Sequence, residues 1–138
     1  MKVFLDANIL VSVLNHELPL LTYTSRILSL ADHKKFKIYT SPLCLAIAYY
    51  FSEKKSGHEQ AKKKIAILNS KINITDLEGN MVTATLSDKS IKDFEDGMQY
   101  FSALKAGCKC IITEDTDDFY FSNIEVSNSR NFVEKYLL

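Results

Sequence analysis

The sequence predicts an α/β fold with a mostly parallel sheet and helices on both faces. Two observations carry this. Short apolar runs rich in β-branched and aromatic residues recur along all 138 residues, and segments with helical spacing separate them. Strands joined through helices run parallel, because the crossover returns the chain to the same end of the sheet. A chain of this length buries roughly two-thirds of its unfolded surface, so residues 1–138 are expected to form a single domain.

Lys2 to Leu5 (KVFL) is too short for a helix and ends abruptly in Asp6, which reads as strand one. From Asn8 the positions Ile9, Leu10, Val13 and Leu14 have helical spacing. Pro19 is placed to open a second helix, with the stripe Leu21, Ile27, Leu28, Leu30 and Ala31 continuing towards His33. Phe36 to Thr40 is strand two. Ser41-Pro42 then offers an N-cap followed by a proline at the first helical position. The helix from Leu43 to about Lys55 is apolar nearly all round, which predicts that it is largely buried.

Gly57 breaks that helix, and His58 to about Ser70 is amphipathic through Ala61, Ile65 and Leu68. Asn73 to Asp76 supplies a short third strand, and Asn80 to Leu86 a further helix. Ser90–Asp93 and Asp93–Asp96 both have the form of a capping box. A helix therefore starts within a residue or two of Asp93 and stops at Gly107. Cys108 to Thr113 is strand four, Ile124 to Val126 strand five, and Ser127 to Leu138 a closing helix.

Composition narrows the function classes. The residues are 46% apolar with 4 Gly and 2 Pro, which is globular rather than disordered, and the formal net charge is zero. Nucleic-acid binding cannot be argued from bulk charge and must rest on local features. No apolar stretch approaches the roughly 18 residues of a membrane span, and no secretory apolar region follows Met1, so a cytoplasmic protein is expected. Cys44, Cys108 and Cys110 are odd in number and are expected to be reduced, packed thiols.

In open parallel sheets, ligands bind beyond the carboxyl ends of the strands. Asp6 follows strand one directly and Asp115 lies two residues beyond strand four, so both carboxylates leave the same edge. The helix leading into strand four runs antiparallel to the strands, which brings its first turn, with Asp93, Glu95 and Asp96, to that edge as well. Carboxylates crowded together raise one another's pKa unless a cation compensates. Mg²⁺ or Mn²⁺ is the natural compensator, and its chemistry points to phosphodiester hydrolysis. Asp118 belongs to the same acidic loop, and Asn8 and Thr113 are placed to support the metal through hydrogen bonds. Each acid also has a plainer role available: Asp6 and Asp93 as helix caps, Asp96 as a partner of the helix dipole, and the loop acids as solvated charge.

With these residues in place, KVFLDANIL, DFEDGMQYFSALKAG and CKCIITEDTDDF together resemble the PIN domain family, specifically its bacterial VapC-like members. The resemblance spans nearly the whole chain. It implies a three-layer α/β/α sandwich with a parallel five-stranded sheet, and cleavage of single-stranded RNA using Mg²⁺ or Mn²⁺. It further implies a homodimer and a co-encoded antitoxin protein of a type II pair. The family's acids match Asp6, Asp96 and Asp115, which would hold the metal, with Asp118 nearby in the family's Asp-Phe pair; in the nuclease reading Asp118 orients the attacking water or a second ion.

One feature departs from the pattern. The family usually has an acid in the helix after strand two, where this chain has Ala46 and Ile47. Glu53 lies about two turns further on, roughly 9–10 Å by helix rise, so Asp93 or Glu95 is the better substitute. Lys34, Lys35, Lys37, Lys54, Lys55 and Lys62 to Lys64 could meet RNA, and Tyr23, Tyr49, Tyr50, Phe51 and Tyr100 could stack on bases. Solvated faces and pairing of Glu59 with Lys62 or Lys63 account for the lysines better, and core packing or dimer faces account better for the aromatics. The missing acid motivates a second reading, a degraded domain that binds RNA or protein without turnover. A receiver-like phosphoryl-transfer domain is the third, less favoured because no lysine follows in the late strands.

Overall fold

The computed structural model describes residues 1–138 and contains five short strands and seven α-helices. In chain order these are β1 (Lys2–Leu5), α1 (Ala7–Leu14), α2 (Leu21–Ser29), β2 (Lys37–Thr40), α3 (Pro42–Ser56), α4 (His58–Lys71) and β3 (Asn73–Ile74). Then follow α5 (Gly79–Ser87), α6 (Phe94–Lys105), β4 (Cys110–Ile112), β5 (Glu125–Ser127) and α7 (Ser129–Tyr136). The strands form one sheet in the order β3-β2-β1-β4-β5, and every pairing is parallel. β1 is central, with Phe4 opposite Tyr39 on one side and Ile111 on the other. Val3, Phe4, Leu5, Cys110, Ile111 and Ile112 are all fully buried, as expected of strands covered on both faces. They anchor a cluster of 23 buried residues to which α1, α2, α3, α4, α6 and α7 contribute. No helix is long and apolar enough to cross a membrane.

Most predicted elements fall where expected, and the differences have local causes. α2 begins at Leu21 rather than at Pro19. Leu20 already has helical dihedrals, and Pro19 sits in the lead-in turn with its carbonyl accepting from Thr22 N at 3.2 Å. β4 begins at Cys110, because Cys108 is still closing α6: its N–H donates to Ala103 O at 3.0 Å, after Gly107 turns the chain at φ 82°. All three thiols are free and buried.

The prediction for α3 was wrong. Only Cys44, Ala48 and Ser52 are buried, at i, i+4 and i+8, while Tyr50 and Phe51 are 54% and 46% exposed. An apolar composition without an apolar stripe cannot say which face meets the core, and here a serine takes the third core position. No ion pair joins Glu59 to Lys62 or Lys63 either; all three side chains are solvated.

Candidate metal-binding active site

The strand order reverses direction between β1 and β4, and a crevice opens there at the carboxyl edge. Asp6 leaves β1 at this point with its N–H donating to Ile112 O of β4 at 3.0 Å. Its carboxylate caps α1, Oδ1 accepting from Ala7 N at 2.8 Å, while the Cys44 thiol lies 3.8 Å from the same oxygen.

Thr113, fully buried one residue past β4, ties the two strand ends together. Its hydroxyl donates to Asp6 Oδ2 at 2.8 Å and accepts from Asn8 Nδ2 and from Asp115 N, each at 3.1 Å. Asn8 completes the lattice: Nδ2 also donates to Asp115 Oδ2 at 3.2 Å, and Oδ1 accepts from Glu114 N at 3.1 Å. Asp6 and Asp115 are thus held by a shared hydroxyl and a shared amide rather than left to rotate.

α6 brings the third segment. Asp93 is its N-cap, accepting from Asp96 N at 3.0 Å, so Asp96 occupies the first turn facing the strand ends. Asp96 is followed by Gly97, where a Cβ would stand 2.4 Å from Thr85 Cγ2 and 2.8 Å from Ile91 Cγ2. Glycine therefore lets α5 close on α6 directly behind the acid. Ser41 Oγ, which caps α3 at Cys44 N (3.0 Å), also bonds the buried Gln99 Oε1, fixing α6 against α3 beneath the site.

Together these elements border a cleft of about 420 Å³. Asp6, Asp93, Asp96, Asp115 and Asp118 all line it, with Asn8 and Glu95 beside them. Glu114 and Asp117 do not: Glu114 turns away to accept from Ser129 N at 3.0 Å. Glu53 and every candidate lysine also lie outside the lining. Tyr100 is buried, its hydroxyl accepting from Asn123 N at 3.1 Å, which removes it as a stacking surface. Glu17, just beyond α1, lines the far end and was missed, since no spacing rule connects it to the other acids. Val11 was also missed, although it lies one helical turn beyond Asn8 on the same face.

Every titratable group lining the cleft is an acid. Burial, reinforced by Asp93, Asp6, Asp118 and Glu95, pushes the Asp96 carboxyl up to about 7. Burial also raises Asp6, against the lowering pull of the Thr113 and Ala7 hydrogen bonds, and it raises Glu95 with help from Asp93 and Asp6. No three acid, histidine or cysteine side chains converge tightly enough to form a ready-made cage. An open ring of hard oxygen donors around uncompensated negative charge nonetheless fits a hydrated Mg²⁺-like ion, which keeps most of its waters and takes only one or two carboxylates directly.

A parallel sheet with carboxylates on both sides of its switch point defines the class of protein, and the comparison with known families agrees. Residues 2–117 match the PIN domain family model, and the chain belongs to that family. Within it the chain is VapC-like. It is 28% identical to Ribonuclease VapC1 of Aquifex aeolicus (strain VF5) over 98% of this chain and 95% of that protein. Among solved structures it shares its fold with VapBC2 from Rickettsia felis, bound to a promoter DNA fragment (TM-score 0.68, 23% identity, 93% of this chain and 98% of that one). It also shares it with VapC20 of Mycobacterium tuberculosis, a Sarcin-Ricin loop cleaving toxin (TM-score 0.69, 17% identity, 90% and 98%).

Proposed function

We propose that this chain is a Mg²⁺- or Mn²⁺-dependent endoribonuclease that hydrolyses single-stranded RNA, the toxin of a type II toxin–antitoxin pair. The observation that carries this reading is the meeting of Asp6, Asp96, Asp115 and Asp118 in one cleft that contains no cation of its own. When bound, the metal would supply charge neutralisation for a phosphate and a polarised water. Asp6, Asp96 and Asp115 are the residues that would hold it. Thr113 and Asn8 keep two of those carboxylates aimed. Asp118, on the exposed rim of the cleft, orients the attacking water. Asp93 positions Asp96 by capping α6, and together with Glu95 it makes up for the acid that Ile47 replaces. Likeness to VapBC structures supports an antitoxin partner, and a cytoplasmic homodimer completes the proposal.

Calorimetric titration with Mn²⁺, paired with cleavage of a single-stranded RNA, tests the reading. Wild type should bind and cleave, whereas Asp6→Asn and Asp96→Asn should lose binding, with turnover falling by on the order of a hundred- to a thousandfold. Asn caps helices as well as Asp, so Asp6→Asn should keep its melting temperature. Wild type that neither binds Mn²⁺ nor cleaves RNA would leave the non-catalytic binding module as the better reading.

A further inference from the structure

The apolar lining of the cleft comes entirely from α1 and α3, chiefly Val11, Ile47 and Phe51. Ile47 and Phe51 are one turn apart on the same face of α3. Phe51 is 46% exposed and meets Tyr50 edge to face, the ring centroids 5.3 Å apart at 78°. The backbone beneath it is fixed: Asn15 Nδ2 donates to Phe51 O at 3.4 Å, and Lys55 Nζ donates to Asn15 O. One turn beyond Tyr50, Lys54 Nζ stands 4.8 Å from the centre of the Tyr50 ring.

Charge decides what such a ring is for. With zero net charge and no basic side chain lining the cleft, the protein's own side chains offer little neutralisation of phosphates there, the usual source of nucleic-acid affinity. Contacts to the bases add to whatever a bound metal supplies, and a half-exposed aromatic ring on a helix is the sequence-tolerant way to make them.

We propose that Phe51, backed by Ile47 and Val11, is the seat on which a base of single-stranded RNA stacks beside the phosphate held over the carboxylates. The proposal rests on the ribonuclease reading and adds the residue that sets substrate affinity.

The chain has no tryptophan, so Phe51→Trp creates a unique fluorophore at the seat. It is to be made in the Asp6→Asn background and titrated with a mixed-sequence RNA octamer and with an abasic strand of the same length. The RNA should quench the tryptophan and the abasic strand should not. Phe51→Ala should weaken RNA binding about 5- to 150-fold and leave the salt slope unchanged, while Phe51→Trp restores affinity. In the Mn²⁺-loaded wild-type background, Phe51→Ala should raise KM and spare kcat. Base-dependent quenching without any cleavage would uphold the stacking seat while sinking the ribonuclease reading. Equal quenching by both strands, or unchanged affinity in Phe51→Ala, would overturn the proposal. So would a shift from dimer to monomer on light scattering, which would assign the ring to a second copy of the chain.

Discussion

The two walls of the cleft are built from opposite chemistry. On one side the α6 cap, the first turn of α6 and the loop after β4 present carboxylates. On the other, α1 and α3 present Val11, Ile47 and Phe51. Asp6, Asp93 and Asp115 are tied down by a cap, a shared hydroxyl or a shared amide, whereas the apolar residues are held by the helices that carry them. Most of the negative charge is therefore concentrated at one side, while the other is apolar except for Glu17 at its far end.

The largest break in this contrast should come from the residue that holds the acidic side in shape. Thr113→Val keeps the volume but removes the hydroxyl, so Asp6 Oδ2 loses its donor, and Asn8 Nδ2 and Asp115 N each lose an acceptor. Mn²⁺ affinity should fall about 10- to 100-fold by calorimetry, with folding intact. A smaller change would come from making the walls alike. Ile47→Glu adds a carboxylate opposite the others and should tighten Mn²⁺ binding about fivefold, on the order of the 1 kcal/mol of a water-screened charge pair. The same change should weaken RNA binding by charging the apolar side.

The smallest effect is on stability against pH. The folded pKa of Asp96, about 7, lies above its ordinary 3.8, so between these values the folded chain holds more protons than the unfolded one. Without metal, the melting temperature should rise as pH falls from 8 towards 5 and then stop gaining from this group near pH 4. Asp96→Asn should remove the larger part of that gain, leaving what Asp6 and Glu95, also raised by burial, contribute. Mn²⁺, which needs the ionised form, should instead bind more weakly over the same fall.

How much of this was legible in the sequence follows from which forces were local. Strand β1 and the caps at Asp6, Ser41 and Asp93 could be read because a cap is set by residues within three positions of it. The edge at which the acids meet followed from topology, since a helix entering a parallel strand must start at the carboxyl end. The burial of α3 could not be read, because its composition is apolar on every side and only packing chooses a face. Glu17 was invisible for a related reason: it reaches the cleft through the turn after α1, which no periodicity describes. The sequence places Thr113 as a support, but its role as the joint between two strand ends needs the adjacency of β1 and β4.

That adjacency has a consequence for how the protein is made. Asn8 and Asp115, which share a hydrogen bond, are 107 residues apart in the chain. At ribosomal speeds of about 5–20 residues per second, the first half of the site waits roughly 5 to 20 s for the second. For most of that interval the emerging chain carries Asp6 alone, the α6 acids and then the β4 loop arriving only near its end. The cleft is thus complete only once residues 93–118 are out, and an unfinished copy abandoned on the ribosome before them carries only one wall of it.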